Sequence, residues 1–226
     1  MRFMKHPTII LKVAMSLDGC INDTSEQRRI FSSAEDQQKV DELRASCDAI
    51  LVGAQTIRAD NPRLSIRSGR LRRYRQQHGL PADILKVTLT RSGELDPAAQ
   101  FFQWGKLEKL VYVPREKAED LARRLAGLAT IIPCRGTDVD LEFLLDDLFE
   151  KGVRRLLVEG GSSVITAFLA SPWLSQLRLA VAPVFVGNPS APQLVTKQLS
   201  FPPQRIPVLH AVEKLGDMSV LTYVWN

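Results

Sequence analysis

The chain has 226 residues, 45% of them hydrophobic and 24% charged, which is enough to bury a real core and excludes collagen-like, low-complexity and disordered classes. No apolar run approaches the roughly 20 residues that span a bilayer, and Met1–Pro7 lacks the apolar centre of a signal peptide, so a cytoplasmic protein with reduced thiols is expected. Cys20, Cys47 and Cys134 are odd in number and lack metal-ligand spacing, against a disulfide framework or a structural zinc site, and the mild net charge of +5 is gathered at Arg63, Arg67, Arg70, Arg72, Arg73 and Arg75.

Ile9-Ile10-Leu11-Lys12-Val13-Ala14 is a nearly unbroken apolar run and reads as a central strand leading into a polar turn, Met15-Ser16-Leu17-Asp18-Gly19. Residues 22–29 read as loop. Ser33 is placed to cap a helix whose first turn holds Glu35 and Asp36, as the helix dipole favours. Val40, Leu43 and Cys47 continue it at helical spacing to an end near Asp48. Ala49-Ile50-Leu51-Val52 is a second strand, followed at once by Gly53 and a helical turn through Asp60, which Pro62 stops after Asn61. The arginine-rich stretch 67–82, broken by Gly69, Gly79 and Pro81, reads as an exposed loop or excursion. With only Tyr74 among its arginines it lacks the aromatic interleaving of a nucleic-acid surface, which leaves a solvated loop or capture of a small anion. Strands follow at 84–89 and 110–113, then a helix over 115–126 with Leu121 and Leu125 on one face, then a short strand at 130–132. Asp140 can cap a helix carrying Leu141, Leu144, Leu145 and Leu148, which Gly152 ends.

Leu156-Leu157-Val158 then runs into Glu159-Gly160-Gly161-Ser162-Ser163 and the apolar start of a helix at Val164-Ile165-Thr166-Ala167-Phe168-Leu169. Strand, glycine turn and helix is the geometry that aims free backbone N–H groups at an anion. Adjacent glycines also let a phosphate approach closely, because no Cβ intervenes. An ordinary strand-to-helix junction reads the same way. Glu159 is harder to explain structurally, since an unpaired carboxylate beside a core is costly. In the tail, Leu177-Arg178-Leu179-Ala180-Val181 alternates like a strand with one wet face. Pro183, Gly187, Pro189, Pro192, Pro202, Pro203 and Pro207 break the next stretch into loops, and Ser219-Val220-Leu221-Thr222-Tyr223-Val224-Trp225 closes as a period-2 strand. Strands alternating with helices, then a strand-rich end, predict an α/β fold in one domain, residues 1–226. It would be a mostly parallel twisted sheet with flanking helices and antiparallel C-terminal edge strands.

The turns at 15–19, 53–60 and 159–163 each follow a strand, and in a parallel sheet such turns share one rim, where α/β proteins bind ligands. They carry Asp18, Thr56, Asp60 and Glu159. Asp18 could instead cap a turn, and Thr56 and Asp60 could begin a helix. His6, His78 and His210 lie outside all three segments and read as surface residues.

Lys12-Val13-Ala14-Met15-Ser16-Leu17-Asp18-Gly19 resembles the opening motif of the riboflavin-biosynthesis reductases, the C-terminal half of bacterial bifunctional deaminase–reductases and free-standing proteins in archaea and fungi. Arg44-Ala45, Asp48-Ala49-Ile50-Leu51-Val52-Gly53, Thr56, Asp60, Pro62-Arg63-Leu64 and Arg67 resemble the family's second block, and Val158-Glu159-Gly160-Gly161 its third; the match runs from about residue 8 to 190. The resemblance implies a dihydrofolate-reductase-like fold, NADPH as cofactor, a homodimer, and reduction of a ribosylamino-pyrimidine phosphate to the ribitylamino form.

Carried over position by position, it would set Ala14, Thr56 and Asp60 against the cofactor. Gly160, Gly161, Ser162, Ser163, Val164 and Ile165, and the turn on to Ala167, would receive the cofactor's phosphates, and Arg91 could reach a 2′-phosphate. Arg44, Leu64, Arg67 and Glu159 would contact substrate, with Glu159 and Asp60 as the carboxylates that orient it or deliver a proton. The deaminase motif, His-x-Glu with Pro-Cys-x-x-Cys, is missing, so no metal is expected. Arg28-Arg29-Ile30 stands where the family has Ser-x-Trp, with Phe31 the nearest aromatic; Thr90-Arg91 replaces Asp-Ser, and Leu174-Ser175-Gln176-Leu177 replaces Val-Asp-Glu-Leu. These departures fall on cofactor and substrate edges and leave open a reductase of dihydrofolate or a dihydropterin. A non-catalytic nucleotide- or nucleic-acid-binding protein is the alternative from another class.

Overall fold

The computed structural model describes residues 6–23, 31–195 and 205–225. Arg28-Arg29-Ile30, most of the loop expected at 22–29, and Pro202 and Pro203 lie outside them. In chain order the elements are β1 (Thr8–Met15), α1 (Ala34–Ala45), β2 (Ala49–Gly53), α2 (Ala54–Asp60), α3 (Gly69–Gln77), β3 (Leu85–Leu89), α4 (Gln100–Gln103), β4 (Lys109–Pro114), α5 (Arg115–Arg124), β5 (Thr130–Cys134), α6 (Leu141–Glu150), β6 (Arg155–Gly160), α7 (Ser162–Ala170), β7 (Leu174–Val181), β8 (Val208–Leu215) and β9 (Met218–Val224). Contacts gather the chain into two compact units, Met1–Pro7 with Asp41–Leu157, and Thr8–Val40 with Val158–Asn226.

In the first unit the strands run in the order β5-β4-β3-β2-β6. The neighbours from β2 to β5 are parallel, as expected, with Gly53 opposite Leu89 and Leu89 opposite Tyr112. Every residue of β2 and β4 is buried, which explains why both read as continuous apolar runs: strands covered on two faces have no wet side. The helix expected after Asp140 is α6; the Asp140 side chain accepts from the Glu142 N–H at 2.9 Å, and Leu144, Leu145 and Leu148 are its buried stripe.

The stretch expected as an exposed loop at 67–82 is instead largely α3. Ser68 caps it, its hydroxyl accepting from the Leu71 N–H, and Gly69 falls at the first helical position, where it costs less than in a helix interior. Leucine, arginine and glutamine are good helix formers. Arg75 on this helix points inward and is 2% exposed. Its guanidinium donates to the carbonyls of Ala45, Cys47, Pro81 and Asp83. The short α4, which no periodicity announced, is anchored by Phe101 and Phe102, buried and in edge-to-face contact.

In the second unit the order is β6-β1-β7-β9-β8, with β1 and β7 parallel and β9 antiparallel to both β7 and β8, which supplies the expected antiparallel edge. β7 has no wet face at Arg178. That residue lies opposite Lys12 of β1, and Asp36 in the first turn of α1 takes the Arg178 guanidinium at 2.7 Å and the Lys12 ammonium at 3.4 Å. The charge is buried because it is paired, and the two cations hold the Asp36 carboxyl below its usual range against the opposing effect of burial. Ser33 caps α1 as expected, accepting from the Asp36 N–H at 3.1 Å. Phe31 is buried against Ala180, Ala182, Met218 and Val220, so it is a core residue and not an open aromatic. The edge strand β8 was not expected; its apolar residues Val208, Leu209 and Val212 are exposed, so no amphipathic alternation marks it. Among the described residues, no helix is long and apolar enough to cross a membrane.

Candidate active site

In the first unit, the pairing of Gly53 with Leu89 on parallel strands makes the turn into α2 and the turn at Thr90 and Arg91 leave the sheet at one rim. Gly53 caps α2 with extended backbone and no side chain. Thr56 and Asp60, both half-buried, lie four residues apart and so on one face of the helix. Asp60 is the last residue of α2, where the dipole is negative and a carboxylate is disfavoured. Helix initiation therefore does not account for it.

The chain then turns through Asn61 (φ 40°) and Leu64 (φ 49°). Side-chain-bearing residues in this left-handed region cost on the order of 1 kcal/mol each and persist where their surroundings over-determine the backbone. The determinants are visible. The Arg44 guanidinium donates to the Ser65 carbonyl at 3.3 Å. The Ile66 N–H donates to Asp83 Oδ1 at 3.1 Å. The N–H groups of Arg67 and Ser68 donate to the two carboxylate oxygens of Asp41 at 2.7 and 2.8 Å. Arg44, Leu64 and Arg67 are thus brought to one loop, with Leu64 buried and Arg67 exposed. Sequence reasoning missed Asp41 and Asp83, because their partners are main-chain amides that carry no residue-type signal.

Arg63 and Arg91 have local partners. Arg63 donates to the Gln100 side chain at 2.6 Å and lies over the Trp104 ring. Arg91 is exposed and paired with Asp138, so a cofactor phosphate there would meet a guanidinium already shared with a carboxylate.

In the second unit, β6 and β1 are neighbours in the sheet. Ala14, next to the end of β1, and Glu159, next to the end of β6, are both half-buried. Gly160 has φ 142°, a conformation L side chains rarely adopt, so glycine is required there. The Gly160–Gly161 peptide bond is cis. Gly161 caps α7 without a side chain, and the first turn of α7 holds no acidic residue. The positive end of the helix dipole at Ser162, Ser163 and Val164 is therefore neither capped by the Gly161 position nor neutralised by a local carboxylate, which suits the phosphates of a dinucleotide. Ile165 is buried, and its N–H closes the first helical hydrogen bond on the Gly161 carbonyl at 2.9 Å. Thr166 Oγ1 donates to the Ser162 carbonyl at 2.7 Å.

Asp18 has a structural role in this unit. Ser16 Oγ donates to it at 2.6 Å, and the N–H groups of Val186 and Gly187 donate to it at 2.7–3.2 Å. These bonds, the Ser16 hydroxyl first, hold its carboxyl down to about 2, far from a proton-transfer role near neutrality. The turn-cap alternative is the one the geometry supports. Among the described residues, no cluster of three His, Cys, Asp or Glu could hold a metal ion, and all three cysteines are buried and unpaired by disulfide.

The sequence model of the RibD C-terminal domain family matches residues 7–211. A protein of Archaeoglobus fulgidus named 2,5-diamino-6-ribosylamino-4(3H)-pyrimidinone 5′-phosphate reductase is 33% identical over 220 residues, covering 97% of this chain and 99% of its own. A protein of the same name from Methanothermobacter thermautotrophicus is 30% identical over 84% of this chain and 83% of its own. Among solved structures, a pyrimidine reductase-like protein from Corynebacterium diphtheriae superposes with a TM-score of 0.83, covering 97% of this chain and 92% of its own at 20% identity. The last is a likeness of fold.

Proposed function

The chain belongs to the RibD C-terminal domain family, and from that premise we propose that it is an NADPH-dependent reductase acting on a ribosylamino-pyrimidine 5′-phosphate, which it converts to the ribitylamino form. The observation that carries the cofactor assignment is the turn from β6 into α7: a glycine that must be a glycine, a cap without a side chain, and a first helical turn free of acids. The substrate assignment is supported by the nearly full-length match to an archaeal reductase of that name.

A bound reduced nicotinamide would supply the hydride that reduces the imine carbon of the opened ribose. The work left to the protein is holding two carbons in reach and stabilising charge. Gly160, Gly161, Ser162, Ser163 and Val164 would receive the cofactor phosphates, Ile165 closing the first helical turn behind them, and Ala14, Thr56 and Asp60 would flank the cofactor. Arg44 and Arg67 receive the substrate phosphate, whose oxygens match the guanidinium fork. Leu64 packs against the substrate. Glu159 and Asp60 orient the substrate or carry the proton that accompanies reduction. Preference for NADPH over NADH would follow from a cation such as Arg91 at the 2′-phosphate.

Steady-state oxidation of NADPH by the purified chain, with a ribosylamino-pyrimidine phosphate in one arm and dihydropterins in the other, tests the reading. Turnover of the pyrimidine alone is expected; turnover of a dihydropterin alone would replace it. The exposed, apolar edge strand β8 supports a homodimer, since an uncovered edge of this kind invites a partner strand. Light scattering on the same preparation should give twice the chain mass, and the chain mass alone would remove that assignment.

A further inference from the structure

The loop after α2 is held at four successive residues. Arg44 takes the Ser65 carbonyl, Asp83 the Ile66 N–H, and Asp41 the N–H groups of both Arg67 and Ser68. Asp41 is 6% exposed, whereas the Arg67 side chain, whose backbone it grips, is exposed. A buried carboxylate is costly unless hydrogen-bonded, and two charge-assisted bonds of 2.7 and 2.8 Å are the kind that offset it. Helix capping does not account for it. The amides it takes precede α3, and Ser68 Oγ already serves the helix's first turn at Leu71. Two bonds to adjacent amides fix the peptide plane between Arg67 and Ser68, and with it the direction of the Arg67 Cα–Cβ bond. Leu64, with φ 49°, sets the turn just before.

We propose that Asp41 is a positioning residue for Arg67, presenting its guanidinium at a set angle to the phosphate monoester of the substrate. This rests on the phosphate-binding role proposed for Arg67. A guanidinium recognises phosphate through a planar fork, so its angle matters as well as its charge. The phosphate is remote from the reacting carbon and is held equally before and during reaction. Losing the grip therefore raises KM and leaves kcat in place.

Asp41→Asn keeps the side-chain shape and one acceptor but turns an NH2 group toward the other amide. The full chain and this variant are compared in steady state with the phosphorylated substrate and with its dephosphorylated nucleoside. The expected result is a KM for the phosphorylated substrate raised on the order of tenfold, the scale of one lost charged hydrogen bond. kcat and the KM for NADPH stay within about twofold, and kcat/KM for the nucleoside is unchanged. In an Arg67→Gln background Asp41→Asn should add nothing, since the two act through one contact. Equal losses on both substrates, or additive losses in the double variant, would reduce Asp41 to a fold residue. If thermal unfolding shows that Asp41→Asn does not fold, Asp41→Glu, which displaces the carboxylate by one methylene, is read by the same split. A wild-type chain indifferent to the phosphate would overturn the substrate reading and this role together. A wild type that discriminates beside an equally discriminating variant would overturn the role of Asp41 alone.

Discussion

Glu159 and Asp60 are the carboxylates proposed to orient the substrate or to carry its proton. One stands next to the end of a buried strand, beside a glycine that needs its positive φ; the other sits where a helix dipole opposes it. Asp18 and Asp36 are held in structural roles by the hydrogen bonds and ion pairs they make. Glu159→Gln removes the charge and the proton while keeping the shape. Turnover with saturating substrate should fall at least about a hundredfold, the typical yield of a positioned acid or base, with an unchanged unfolding midpoint. Wild-type turnover would take Glu159 out of the chemistry. At this scale, residues next to a glycine or at a strand end could be read from the chain alone, because the signal is local. Asp41, Asp83 and Arg75 could not. Each is defined by main-chain groups, some of them 26 to 30 residues away, and a backbone carbonyl looks the same whatever residue carries it.

Among the elements, β2, β4, α6 and α7 were legible because their apolar patterns match their burial. α3 was not: its glycine suggested a break, and its one buried cation looked like its exposed neighbours until its four carbonyl partners were seen. β7 misled for a related reason, since Arg178 sits where an alternating strand would face water but is matched by Asp36. β3 hides a charge too. Lys86 is 2% exposed, donates to the Phe101 and Trp104 carbonyls, and lies opposite Lys109 of β4. Burial pushes its pKa from 10.5 down to about 8. The folded state thus disfavours the charged form. Its penalty is fully present below about pH 8 and fades as pH rises toward 10.5, where the unfolded chain also loses the proton. Relative to Lys86→Met, the wild type should gain up to about 3 kcal/mol of unfolding free energy across that window, read by denaturant titration at a series of pH values. A constant difference between the two proteins would show that the ammonium is not desolvated as described.

For the molecule as a whole, strand order in each unit agrees with what alternating strands and helices announced: a parallel succession on one hand, an antiparallel edge on the other. The mild positive charge suits an anionic small molecule better than a nucleic acid. Of the arginines behind it, Arg75 is structural and Arg63 is stacked on Trp104, which leaves fewer for a polyanion than the sequence suggested. The proposed function comes down to one claim: this chain moves a hydride from a reduced nicotinamide to the imine carbon of a phosphorylated ribosylamino-pyrimidine. The measurement that meets it most directly uses NADPH carrying deuterium at the transferable position, with the product read by mass and NMR. The account predicts one deuterium on the ribityl carbon that had been the imine carbon, with one NADPH consumed per product. Unlabelled product, deuterium at any other carbon, or NADPH left unconsumed would contradict it.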